Sequence, residues 1–383
     1  MKIANIEYLT VHPGWRKNLI FVRVETDDGI VGWGESYSQY DRDGAVCAQL
    51  KEMSRYLIGR DPFQIRHMGQ MLYDDYAQRR NSLEFLCAWS GIEQALWDIA
   101  GKVTGQPVYN LLGGPVRKKI RVYANGWSYL MRGPDDFARA AEKVVEMGYT
   151  ALKFDPLPRP WRTYIPKSHV REARATVKAI RDAVGPDVDI LIELHRRLAP
   201  VHAIEVAQAI EEFDPYWLEE PCLVENIDGL AEVRAKTTIP VVTGEAAYGR
   251  AGFRPVFRNR AVDYINPDVA NTGGILELIN IASWAESEMI GCSPHNYNST
   301  TLALSSTVHA SAVMGNFLIT EYFLPFEEFG AKLAKNPLKP VNGYIELPEG
   351  PGLGIEIDEE AVRANAGKPF PLRNLPFPED EGP

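Results

Sequence analysis

Six polar residues, Glu193, Glu219, Glu245, Asp268, His295 and Glu321, each close a short apolar run, at intervals of 26, 26, 23, 27 and 26 residues. Hard divalent cations prefer carboxylate oxygens, and Mg2+ keeps positions open for water or substrate. Three carboxylates brought together repel one another unless a cation lies between them. Glu193, Glu219 and Glu245 therefore read as one divalent-metal site, although any one of them alone would pass for a strand-end acid paired with an arginine. Asp268 and His295 close consecutive runs, so they can touch. A carboxylate beside an imidazole fixes its tautomer and raises its basicity, which suits a general base; the plainer reading is a satisfied buried histidine. His195 lies two residues beyond Glu193, on the same side of a strand of period two. From there it can protonate a departing hydroxyl, or it is a structural histidine of the following loop. Lys153 and Asp155 repeat the two-residue offset. Lys153 can steady oxyanion charge or contact a substrate carboxylate, or the two form an internal ion pair. Glu321 can hydrogen-bond an enediolate when protonated, or is a structural acid. Glu220 should face away from Glu219, into a salt bridge.

Intervals of this size hold one strand, one loop and one helix, so the ladder marks successive βα units carrying a polar residue at one level. Candidate strands are residues 120–125, 151–155, 189–193, 216–219, 241–245, 263–268, 291–295 and 317–321. Amphipathic stretches separate them, marked by Val170, Ala173, Val177 and Ile180, and by Ile204, Ala207 and Ile210. The fold class this predicts is α/β, a (β/α)8 (TIM-type) barrel, whose chemistry sits at the C-terminal ends of the strands. Residues 1–118 read instead as a mixed α+β domain. An alternating run at 20–26 turns at Asp27-Asp28-Gly29 and returns at 30–35, a hairpin signal. Ile92, Ala95, Leu96 and Ile99 recur at helical spacing, and Gly113-Gly114-Pro115 punctuates the boundary. The predicted domains are a capping domain at 1–118, the barrel at 119–339, and a tail at 340–383 that returns as a strand or hairpin to the capping domain.

At 383 residues the chain can bury a large core. A net charge of −10 argues against nucleic acid or an anionic membrane as partner, and it makes a bound metal a useful source of positive charge for an anionic substrate. Cys47, Cys87, Cys222 and Cys292 are scattered without CxxC spacing, which fits a reducing cytoplasm. Residues 1–7 read as a strand rather than a signal peptide, and no apolar run approaches a membrane helix.

Trp217-Leu218-Glu219-Glu220-Pro221, Gly244-Glu245, Asn266-Pro267-Asp268, Thr272-Gly273-Gly274-Ile275 and Pro294-His295 together resemble the enolase superfamily, in its mandelate racemase-like branch. The resemblance spans nearly the whole chain. Tyr123-Ala124-Asn125-Gly126-Trp127, residues 151–156 and residues 190–195 are most similar to sugar-acid dehydratases of the gluconate, galactonate and arabinonate type. It implies Mg2+ on Glu193, Glu219 and Glu245, His295 as base oriented by Asp268, His195 as acid, Glu321 bonding the intermediate, and a closed homo-oligomer. It is the general practice of that superfamily to stabilise an enediolate with Mg2+ beside a Lys or His base. The chain departs from the pattern in three places. Glu193 stands where much of the superfamily has Asp, Asp155 where racemases carry a second lysine, and Arg196-Arg197 where many relatives have Gly-Arg. Leu198-Ala199-Pro200 is closer to mannonate dehydratases.

The expected reaction is Mg2+-dependent dehydration of an aldonic acid. His295 removes the C2 proton, Lys153 helps stabilise the enediolate, His195 protonates the leaving 3-hydroxyl, and a 2-keto-3-deoxy acid results. The alternatives are a racemase or epimerase of a 2-hydroxy acid and a non-catalytic sugar-acid binder. Loops at Trp15, Arg16, Lys17 and Asn18, at Tyr40, Asp41 and Arg42, and at 161–167 are candidates to close over substrate.

Overall fold

The alternating runs near the start form an antiparallel sheet, β1 (Ile3–Val11), β2 (Leu19–Thr26) and β3 (Val31–Ser36), in that order. The computed structural model describes residues 1–15, 17–39, 42–76, 82–159, 161–370 and 377–378. Arg16, Tyr40 and Asp41, named above as loop candidates, lie outside the described residues. Helices α1 (Asp43–Leu57), α2 (Ile65–Met71), α3 (Leu83–Thr104) and α4 (Val108–Leu111) follow. Ile20, Val22 and Val24 pack with Leu50, Met53 and Leu57 and with Ile92, Ala95, Leu96 and Ile99, the apolar stripe of α3. Strand β3 lies unusually close to α3. A Cβ on Gly34 would stand 2.0 Å from the Gly91 carbonyl oxygen, so the approach requires glycine.

Eight parallel strands then alternate with helices: β4 (Lys119–Asn125), α5 (Pro134–Glu146), β5 (Ala151–Phe154), α6 (Lys167–Val184), β6 (Asp189–Glu193), α7 (Pro200–Ile210), β7 (Trp217–Glu219), α8 (Ile227–Lys236), β8 (Val241–Thr243), α9 (Gly249–Arg258), β9 (Tyr264–Ile265), α10 (Ile275–Ser287), β10 (Gly291–Cys292), α11 (Thr301–Val313) and β11 (Thr320–Phe323). Neighbours pair in sequence order and β11 pairs with β4. Cys292 bonds Asn316 and Leu318 through the backbone, at 2.9 Å each, and so closes the ring as a TIM-type barrel.

The strands are shorter than their apolar runs. Glu193 and Glu219 end β6 and β7, whereas Glu245, Asp268 and His295 lie in the turns beyond β8, β9 and β10, and Glu321 sits inside β11. Gly244 (φ +152°) bends the chain away after β8, against Asn266, where a Cβ would meet backbone at 2.9 Å. A single bridge between Asp268 and His295 continues the ladder past β9 and β10.

The tail departs from expectation in one respect. Its strand β12 (Tyr344–Glu346) pairs antiparallel with β4 of the barrel rather than with the first domain. Past α12 (Glu327–Leu333) and that strand, Gly352 bonds Gln106 and Val108, and α13 (Glu359–Ala364) leads to bonds with Thr10 and His12. Among the described residues no helix is long and apolar enough to cross a membrane.

Period two builds the floor of the site. Tyr123, Ala151, Leu191, Trp217, Val242 and Ile319 fill the barrel interior. Their intervening neighbours Leu152, Ile190, Ile192, Leu218 and Val241 face the helices. Two residues beyond the interior layer come Asn125, Lys153, Glu193, Glu219 and Glu321, so alternation itself carries charge to one level above an apolar plug.

Candidate active site

The eight residues expected to hold metal or carry catalysis, Lys153, Glu193, His195, Glu219, Glu245, Asp268, His295 and Glu321, lie together above this plug. Glu193, Glu219 and Glu245 each bring a carboxylate oxygen within 4.8 Å of the others. Lys153 Nζ donates to Glu219 at 2.6 Å and lies 3.6 Å from both Glu193 and Glu321. It does not pair with Asp155: β5 ends between them, and the buried carboxylates on neighbouring strands draw the ammonium inward. His295 Nδ1 lies 2.7 Å from Asp268, and its Nε2 lies 3.0 Å from Glu245 and 3.5 Å from Glu321. Asp268 also accepts from the Ala270 amide at 2.8 Å. His195 stands at the other end of the trio, its amide on Glu193 and its Nδ1 2.9 Å from Asp155.

Burial pushes the Glu219 carboxyl well above the usual range in spite of Lys153 beside it. Burial acts the same way on Glu245, but Arg196 and His295 outweigh it and hold that carboxyl well below. Lys153 and His295 show the converse balance. Burial disfavours their charged forms, yet Glu219 and Glu321 raise Lys153, and Glu245, Glu321 and the bond to Asp268 raise His295, both well above their ordinary values. His195 is raised too, burial being outweighed by Glu193 and Asp155. Glu321 is lowered, since Lys153 and His295 together with bonds from Asn296 and Asn125 overcome burial. Its two oxygens accept from the Asn296 amide at 3.0 Å and from the Asn125 side chain.

The residues fit a divalent cation. Glu219 Oε2 is fully buried and receives no hydrogen bond from any described residue, a costly arrangement for a carboxylate oxygen unless a cation faces it. The negative charge that raises both imidazoles is also what a cation at the trio would neutralise.

Sequence reasoning assigned no role to several residues at the site. Arg196 bonds Glu245 and reaches Glu220 at 3.3 Å, which gives Glu220 its expected ion pair. Asn266 donates to Glu219 at 3.0 Å and Asn125 to Glu321. Their signal was present as polar residues two positions from Asp268 and from Tyr123, on the inward face. Of the candidate loops, Trp161 stacks on His195 with centroids 4.6 Å apart. Trp15 packs on Phe323 and Phe326 at the barrel mouth, and Lys17 bonds the Ser38 carbonyl.

A capped TIM-type barrel with a carboxylate trio and flanking histidines at the C-terminal strand ends defines a class of barrel enzymes whose site is suited to a divalent cation. Residues 136–361 match the enolase C-terminal domain-like family, and residues 6–113 match the mandelate racemase / muconate lactonizing enzyme N-terminal domain. The chain belongs to the enolase superfamily, in its mandelate racemase/muconate lactonizing enzyme-like branch. It is 36% identical over 360 residues to a D-gluconate dehydratase of Thermoproteus tenax, covering 93% of this chain and 71% of that one. It is 33% identical over 380 residues to a D-galactonate dehydratase of Variovorax paradoxus, covering 98% and 97%. A solved mandelate racemase/muconate lactonizing enzyme-like protein from Roseovarius superposes with a TM-score of 0.91 at 34% identity, covering 97% of each chain. An enolase superfamily member from Salmonella Typhimurium superposes with a TM-score of 0.90 at 31% identity, covering 94% and 97%.

Proposed function

We propose that this chain is a hydro-lyase that dehydrates an aldonic acid to a 2-keto-3-deoxy acid. One observation carries the reading: imidazoles stand at the two ends of a single carboxylate trio, His295 at Glu245 and His195 at Glu193. Elimination needs a base for the C2 proton and an acid for the 3-hydroxyl, and the two histidines supply one of each. The names of the dehydratase relatives support the same chemistry.

Glu193, Glu219 and Glu245 would hold Mg2+, which when bound would supply positive charge for the developing enediolate. His295 accepts the C2 proton at Nε2 while Asp268 holds the opposite nitrogen. The Lys153 ammonium adds fixed positive charge beside Glu219. His195 gives a proton to the 3-hydroxyl, the C3–O bond breaks and water departs. The enol then gains a proton at C3 and loses one from O2. Four free, buried cysteines suit a reducing compartment, and with the family resemblance the reading extends to a cytoplasmic homo-oligomer.

The test is a panel of C5 and C6 aldonic and aldaric acids with Mg2+, read for 2-keto product. The expected result is turnover of at least one aldonic acid, abolished by EDTA. Paired imidazoles also suit two-base epimerisation at C2, and accumulation of a C2 epimer without keto acid would establish that instead. Binding of a panel member with no turnover would leave a sugar-acid binder.

A further inference from the structure

We infer that Asp155 is a positioning residue for His195, clamped by Arg197, and that this second imidazole–carboxylate pair governs the elimination half of the reaction. The inference rests on the reading of His195 as the leaving-group acid. Asp155 follows β5 on the side facing His195, and its four acceptor positions are all taken. Oδ2 meets His195 Nδ1 at 2.9 Å and Arg197 Nη1 at 2.9 Å; Oδ1 meets Arg197 Nη2 at 2.8 Å and the Leu157 amide at 2.9 Å. A carboxylate gripped in this way only accepts, so Nδ1 must carry the hydrogen.

The rest of the turn serves the same geometry. His195 (φ +52°) and Arg196 (φ +50°) are both left-handed, a conformation that costs a side-chain-bearing residue about 1 kcal/mol or more. Two such residues in succession send Arg196 to Glu245 and Arg197 to Asp155. Arg197 also donates to the Leu194 carbonyl at 2.9 Å, tying the clamp to the turn that carries His195. Trp161 stacks on the imidazole, and Arg197 Cζ lies 4.8 Å from that indole ring. The ring is therefore held through Nδ1 and one face, while no described residue bonds Nε2. When Nε2 delivers its proton to the 3-hydroxyl and the C–O electron pair leaves with water, the imidazole is left in the Nδ1–H tautomer that Asp155 already accepts. No side chain has to move.

The test joins a spectroscopic signature to a partial reaction. In the Mg2+-loaded, 15N-histidine-labelled enzyme, His195 Nδ1 is expected to be protonated, with the signal assigned by its loss in His195→Asn. Asp155→Asn should lower kcat for elimination about 100-fold or more. It should change C2 deuterium exchange of a 3-deoxy aldonic acid, which has no hydroxyl to lose, by less than about twofold. Arg197→Lys, which keeps the charge and loses the fork, should fall between wild type and Asp155→Asn. An unprotonated Nδ1 in the wild type would overturn the inference whatever the variants do. So would exchange that falls in step with elimination, or Asp155→Asn eliminating at the wild-type rate while His195→Asn does not. Full elimination by His195→Asn would instead remove the underlying reading, and the inference with it.

Discussion

Lys153 is the residue on which the charge balance of the carboxylate site depends. It is 2% exposed, and its ammonium is the nearest cation to Glu219, itself fully buried. Removing one partner of a buried ion pair leaves an uncompensated charge, so Lys153→Met should cost about 3–5 kcal/mol in urea unfolding without Mg2+. Saturating Mg2+ should recover part of that loss, because a cation at the trio restores the balance; an identical loss with and without Mg2+ would contradict the electrostatic account. The histidines divide the proposed chemistry cleanly. His295→Asn should abolish both C2 exchange and dehydration, by about 100-fold or more, whereas His195→Asn should lose dehydration and keep exchange. Deuterium incorporation followed by NMR separates the two.

At the scale of elements, the capping domain does more than cover the barrel. Glu93 of α3 accepts from the amides of Ile275 and Leu276 at 2.7 and 3.0 Å, and so caps the N-terminus of α10. Glu35 of β3 accepts from Thr300 and Ala303 at the start of α11. Carboxylates favour helix N-termini because unpaired amides and the helix dipole converge there. Both contacts join a capping element to a helix whose preceding turn carries site residues, Asp268 before α10 and His295 before α11. Glu93→Ala would strand one buried and one partly buried amide and should cost about 1–3 kcal/mol of stability by denaturant titration. Local caps such as Ser82 on Phe85 and Asn226 on Gly229 could be read from neighbouring residues. A glutamate that caps a helix some 180 residues away could not.

At the scale of the whole molecule, pH and metal are both expected to change stability. His309 of α11 lies buried against α4, where Nδ1 accepts from the Tyr109 amide, and burial pushes its pKa down to about 4 from 6.5. The folded state therefore binds this proton less readily than the unfolded chain does. Its contribution is complete above pH 6.5 and is lost as pH falls toward 4, at most about 3 kcal/mol. Urea unfolding should show the wild type losing more stability over that interval than His309→Gln; equal losses would dismiss the effect. Mg2+ binding to the folded state alone should add about 2.7 kcal/mol at a hundredfold excess over Kd, a rise in Tm that Glu219→Gln should largely remove.

Much of the fold follows from local pattern. Apolar alternation with period two, helical stripes and the regular polar ladder suffice for a barrel of βα units, because side-chain direction in strands and helices depends on neighbours a few residues apart. The same periodicity placed Lys153, Glu193 and Glu219 on one inward face. Partner choice is another matter. Asp155 sits two residues from Lys153 yet serves His195 and Arg197, and Arg196 reaches Glu245 across two strands by way of two left-handed residues. Such pairings depend on distances between segments far apart in the chain, on competition among buried charges, and on where each strand stops. Those quantities come into being only when the barrel closes.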